Sequence, residues 1–150
     1  MTGVDSMKNV TAIVILVCFS SVFLVGCPKK TPPPENNTDA SAARVMVLDE
    51  GNFDSEVGTG VVLVDFWATW CRPCKIQGPI VEEVAAQVQD TAKVAKLDVD
   101  AVPAIAQRFN IQSIPTLIVF KNGKNMQQFV GVTEAKELVS AIQSLSALKN

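Results

Sequence analysis

The chain has no histidine and no tyrosine among its 150 residues, and only two tryptophans and seven phenylalanines. Without histidine it lacks the side chain that most often moves protons at neutral pH, and the commonest nitrogen ligand for zinc. Acid–base chemistry must therefore come from carboxylates, thiols or lysine. An excess of one charge is missing too: 13 Lys and Arg stand against 15 Asp and Glu, a net charge of −2. No basic field is available to hold nucleic acid, so no such partner is expected. There is no internal repeat, and the length allows one domain with a real core plus a tail.

Long apolar runs are also scarce. The one present, Val10 to Val25 (VTAIVILVCFSSVFLV), has sixteen residues, fewer than the roughly 20 a membrane-spanning helix needs. It suits the core of an export signal. Met1 to Asn9 is polar with a single lysine, and Met7-Lys8-Asn9 makes the more usual basic start, so the true start is Met1 or Met7. Leu24 to Cys27 (LVGC) resembles the bacterial lipoprotein box, in which the cysteine becomes the acylated first residue of the mature protein. That resemblance implies a signal peptide over residues 1–26 and lipidation at Cys27. The alternative is an uncleaved anchor with an incidental cysteine. Either reading places the domain at a membrane, outside the cytoplasm, in the periplasm or at the cell surface. Several acyl chains would hold it firmly, where one alone binds only marginally.

Residues 28–43 (PKKTPPPENNTDASAA) carry no large apolar side chain and cannot bury enough surface to fold. With Cys27 they read as a lipidated, proline-rich tether over residues 27–43, about 50 Å long if extended at ~3.1 Å per residue. Recognition by a proline-binding module is the other reading. From Arg44 to Asn150 the pattern becomes α/β. RVMVL is a short strand, and NFDSEV a brief helix with Asn52 or Asp54 near its start. VVLVDFWA, apolar but for one acid, predicts a central strand buried on both faces. A helix is predicted from about Cys71, with Ile76, Ile80, Val84 and Val88 as its apolar stripe and a kink at Pro79. KVAKLDVD predicts a strand, and VPAIAQRF a helix with Pro103 in its first turn. TLIVF-KNGK-NMQQFV predicts a hairpin turning on Asn122-Gly123. Thr133 is placed to cap a last helix with Leu138, Ile142 and Leu145 inward. The order predicts an α/β fold, a mixed sheet with helices on both faces.

The chemistry lies in ATWCRPCKIQ. With Cys18 in the signal and Cys27 acylated, Cys71 and Cys74 are the free thiols of the mature protein. A structural zinc site wants four Cys or His ligands, and two cysteines fall short, so no metal is expected. A purely structural disulfide closing so short a loop would contribute little. A couple that opens and closes remains. At a helix start, unpaired N–H groups and the positive end of the dipole favour a thiolate at Cys71, the nucleophile. Cys74, one turn further in and more buried, would displace what Cys71 captures, with Pro73 restricting the loop between them. Asp65, six residues before Cys71, would have its pKa raised by burial toward neutrality, where a proton relay is useful. The alternative is a strand-end acid that reaches solvent or a backbone partner.

Residues 61–131 closely resemble the thioredoxin family, through VDFWATWCRPCK, VAKLDVD, SIPTLIVFKNGK and VGV, and the likeness extends loosely from Arg44 to the C-terminus. It implies a thioredoxin fold, a central mixed sheet flanked by helices, with the redox pair at the start of the second helix. It implies that Asp65 serves Cys74 with Lys96 nearby to tune it. It also implies that Ile114-Pro115 is a cis peptide offering backbone hydrogen bonds to an extended substrate segment. Trp70 would shield the sulfurs and help dock clients, and Gly131 would leave room for a client backbone; a half-exposed core aromatic and a plain loop glycine are the alternatives. Trp67 is assigned to packing.

One position departs from the family, which usually has glycine where Arg72 stands. A guanidinium beside Cys71 would favour its thiolate and make the couple somewhat more oxidising; otherwise Arg72 is an exposed residue that touches partners or nothing. The expected activity is membrane-tethered reduction of protein disulfides by a monomer without cofactor. Its partners would be disulfide-bearing client proteins and a membrane thiol shuttle as electron donor. The alternatives are a client-specific reductant in cytochrome c maturation, whose members usually carry an insertion absent here, and a binding module with incidental thiols. Net oxidase relatives carry a helical insertion and commonly a histidine between the cysteines, and neither is present.

Overall fold

The structure is a computed structural model that describes residues 44–148. The apolar run, Cys27 and the proline-rich stretch lie outside the described residues. The described residues form five strands and four helices, in the order β1 (Met46–Val47), α1 (Phe53–Val57), β2 (Val61–Trp67), α2 (Arg72–Val88), β3 (Lys93–Asp98), α3 (Pro103–Arg108), β4 (Thr116–Lys121), β5 (Lys124–Val130) and α4 (Ala135–Ala147). The sheet order is β1-β3-β2-β4-β5. β3 runs parallel to β1 and β2, while β4 is antiparallel to β2 and β5. The fold is therefore the mixed sheet with helices on both faces that the residue pattern predicts.

β2 is central because it can be buried on both sides. Val62, Val64 and Phe66 pack with Phe53 and Val57 of α1 and Ile105 of α3. Val61 and Leu63 face the other way, against Val84 of α2 and Leu138 and Ile142 of α4. Successive side chains of a strand alternate between faces, so Asp65 points to the α2 side with Val61 and Leu63. Phe53, Phe109 and Phe120 meet with ring centroids 5.1–5.9 Å apart; such pairs add about 0.5–1.5 kcal/mol each beyond area burial.

At α2 the observed buried face differs from the predicted stripe. Cys74, Gln77, Val81, Val84, Ala85 and Val88 are buried, whereas Ile80 is half-buried and Ile76 is 58% exposed. A strict four-residue repeat advances about 40° beyond a full turn at each step. The stripe therefore rotates off the sheet, and Ile76 ends in solvent. The helix runs unbroken through Pro79.

The β4–β5 turn is as predicted, with Asn122 and Gly123 at φ of 49° and 78°. It docks on the α1–β2 loop, where Gly123 N–H donates to Val57 O (2.8 Å) and Gly60 N–H to Asn122 Oδ1 (2.9 Å). Thr133 does not cap α4. Glu134 stands at that position without a side-chain bond, and the Thr133 hydroxyl donates instead to Gly131 O at 3.2 Å.

Candidate active site

β2 ends at Trp67, and after three intervening residues the chain turns into α2 with Cys71 at its N-cap. Cys71 and Cys74 form a disulfide with Cα atoms 5.3 Å apart. The Cys74 N–H donates to Cys71 Sγ at 3.1 Å, so this sulfur occupies the site where the helix start supplies unsatisfied donors. Cys74 is not the more buried of the two, because the residues are 3% and 4% exposed. Ala68, Trp67, Val99 and Ile114 enclose the pair together. What separates the sulfurs is direction. Cys71 Sγ lies 3.7 Å from the Ile114 carbonyl oxygen, and Cys74 borders an inner cavity.

That cavity, about 170 Å³, is lined among others by Asp65, Cys74, Trp67, Lys96 and Glu82. Asp65 is 4% exposed and its Oδ1 has no hydrogen-bond partner. Burial pushes its pKa from 3.8 up to about 7, and the Lys96 charge opposes the rise without cancelling it. Sheet register creates this pairing: Asp65 on β2 stands opposite Lys96 on β3. The ammonium, however, rests 5.5 Å from the centroid of the Trp67 ring and leaves Asp65 Oδ1 unpaired. Trp67 thus packs, as expected, and also carries the lysine.

On the outer side, Trp70 is 68% exposed, and its indole Nε1 donates to Asp100 Oδ2 at 2.7 Å. It borders a groove with Val99, Ile111 and Ile114. The Ile114-Pro115 peptide is cis. Gly131 N–H donates to Pro115 O at 2.8 Å, with Gly131 at φ 91°. A Cβ there would meet no atom within 4 Å, so the space over Gly131 is open. Arg72 and Pro73 are exposed on the first turn of α2, and Arg72 has no ion-pair partner among the described residues.

The fold thus gathers Cys71, Cys74, Asp65, Lys96, Trp70, Arg72, Pro73, Ile114, Pro115 and Gly131 at one end of the sheet, while Cys27 lies outside the described residues. Two neighbours have no counterpart in the sequence reading. Asp100 orients Trp70 from 30 residues away. Gln77 is a wholly buried amide on α2, and a polar residue in the inward row of an apolar helix is the signal that marks it. No group of three or more His, Cys, Asp or Glu able to hold a metal occurs among the described residues.

A Cys-x-x-Cys disulfide on a helix start, over a buried acid and within this sheet, defines a thiol–disulfide oxidoreductase. Residues 44–144 match the thioredoxin family model, and the chain belongs to the thioredoxin family. It is 45% identical over 98 residues to a thioredoxin of Staphylococcus aureus, covering 65% of this chain and 94% of that protein. A Staphylococcus saprophyticus thioredoxin is 44% identical over 99 residues, 66% and 95% of the two chains. Among solved structures, Malassezia sympodialis thioredoxin (Mala s 13) aligns with a TM-score of 0.64 at 38% identity, over 69% of this chain and 92% of that one. A single-site mutant of a Halobacterium salinarum thioredoxin aligns with a TM-score of 0.67 at 33% identity, over 75% and 99%.

Proposed function

We propose that this protein is a membrane-tethered reductase of protein disulfides, acting outside the cytoplasm. The observation that carries the chemistry is the Cys71 sulfur held at the start of α2 and bonded to Cys74, above a buried acid whose Oδ1 has no hydrogen-bond partner. In the reduced protein, Cys71 thiolate attacks a client disulfide. A Cys71–client bond forms and one client thiolate leaves. Cys74 then attacks the Cys71 sulfur, closing the internal disulfide and releasing the second client thiolate. Two electrons pass from the dithiol to the client. Asp65 accepts the Cys74 proton through the shared cavity, with the Lys96 charge holding its pKa from rising further. Trp70, Ile114, Pro115 and Gly131 form the docking surface, with Pro115 O already engaged by Gly131 and the space over that glycine open to a client.

The division into a signal at 1–26, a tether at 27–43 and a redox domain at 44–150 rests on the LVGC box and the proline-rich composition. A compartment that oxidises thiols requires a supply of electrons, here a membrane thiol shuttle. Wild type is expected in the membrane fraction carrying a radiolabelled acyl chain. Cys27→Ser should lose the label and the retention, and a wild type recovered unlabelled in the cytosolic fraction would refute tethering.

Arg72 adds a charge beside Cys71 in place of the family's usual glycine. An exposed pair of opposite charges is worth about 0.2–1 kcal/mol, and ~30 mV corresponds to about 1.4 kcal/mol for a two-electron couple. Arg72→Gly should therefore lower the reduction potential by roughly 5–20 mV in a glutathione buffer. An unchanged potential would assign Arg72 to partner contact or to nothing.

A further inference from the structure

We infer that Gln77 is a positioning residue for client docking: from inside α2, its amide holds the 131–133 loop and through it the Pro115 carbonyl. The inference rests on the docking surface proposed above. Gln77 is fully buried, three residues past Cys74 on the inward side of the same helix. Its amide is satisfied at both ends by one backbone unit. Oε1 accepts from Thr133 N–H at 2.8 Å, and Nε2 donates to Thr133 O at 3.2 Å. The Thr133 hydroxyl donates to Gly131 O (3.2 Å), and Gly131 N–H donates to Pro115 O (2.8 Å). A continuous run of hydrogen bonds thus joins the redox helix to the segment beside Cys71, whose sulfur lies 3.7 Å from Ile114 O.

The chemistry at position 77 matters more than its volume. Thr133 is itself 7% exposed, so an apolar side chain of similar size would leave its N–H and C=O buried without partners. Buried backbone groups rarely stay unpaired, and the loop would shift toward water to satisfy them. Gly131 would move with it, and so would the surface meant to receive an extended client. Cys71, Cys74 and Asp65 lie on α2 and β2, and none of them depends on this loop for its hydrogen bonds. The expected defect is in docking, with the sulfur chemistry left intact.

The test compares reduced wild type and Gln77→Met in single turnovers against insulin, a protein disulfide, and against dithiobis(nitrobenzoate), a small one that needs no extended docking. The half-saturating insulin concentration should rise about tenfold, with the limiting rate and the small-disulfide rate constant each within twofold of wild type. Equal losses on both substrates would reduce Gln77 to a structural residue, and no change on either would remove it from docking. If Gln77→Met does not fold, Thr133→Val keeps the amide pairing and deletes only the link to Gly131. It should raise the half-saturating concentration two- to threefold, and an unchanged value overturns the inference. A wild type that reduces the small disulfide but not insulin would overturn the proposed function and this inference together. An active wild type with an unaffected variant overturns this inference alone.

Discussion

Cys74→Ser is expected to turn the protein from a catalyst into a trap. Cys71 would still attack a client disulfide, because its place on the N–H groups of α2 does not depend on the second sulfur. Among the described residues only Cys74 stands beside it to displace the client, so the mixed disulfide should accumulate. Insulin-reduction turnover should fall by about three orders of magnitude, equivalent to roughly 4 kcal/mol in the barrier to resolution. Non-reducing electrophoresis should show client adducts that disappear on adding dithiothreitol, while Cys71→Ser should show none. Turnover that survives in Cys74→Ser would exclude the two-thiol mechanism. The adducts would also name the clients and show the direction of electron flow.

The second large effect concerns Asp65, whose pKa of about 7 lies far above its ordinary value of 3.8 because of burial. The folded protein holds this proton up to about pH 7, while the unfolded chain releases it near 3.8. Folding therefore takes up a proton in that window, and stability falls as pH rises through it. The interval of about 3 pH units at ~1.4 kcal/mol each corresponds to roughly 4 kcal/mol at full ionisation. Asp65→Asn removes the ionisation. The oxidised variant should match wild type in the unfolding free energy from urea titration near pH 4 and exceed it at pH 8 by up to that amount. Equal free energies at pH 8 would mean that the carboxylate reaches water. The same substitution should slow resolution by Cys74 about 10²-fold near pH 7, the lower end of what general-base catalysis contributes.

The two effects of Asp65→Asn are opposite in sign for one physical reason. A carboxyl buried away from water is costly to ionise, and that cost places its pKa where it can exchange a proton at neutral pH. The site is thus held at the expense of stability, as expected where a buried group has a perturbed pKa.

Much of this was legible in the sequence because it depends on neighbours along the chain. Apolar runs bounded by turn residues gave β2 and β4, and Asn122-Gly123 gave the hairpin through its positive φ angles. The Cys-x-x-Cys pair was readable as a redox couple because a strand precedes it and a helical pattern follows. The differences between pattern and structure also have local causes. A stripe through Ile76 needs a repeat of four, whereas the helix repeats every 3.6 residues. Thr133 has the residue type of a cap, but its N–H is bound by Gln77 and its hydroxyl turns back to Gly131.

By itself the chain's order of residues determined the elements, the two buried faces of β2 and the position of the dithiol at a helix start. All of these follow from spacing over a few residues. Only the tertiary structure decided which distant groups meet: the Lys96 ammonium over Trp67 with Asp65 Oδ1 left unpaired, Trp70 on Asp100, and Gln77 on Thr133 across 56 residues. Such contacts depend on how the strands are ordered and how the helices lie over them, and packing sets these in three dimensions. The place of Asp65 in an apolar strand already predicts its burial, and packing sets how complete that burial is. That completeness arises from surfaces contributed by α2, β2 and β3 together, and no one of these segments carries it alone.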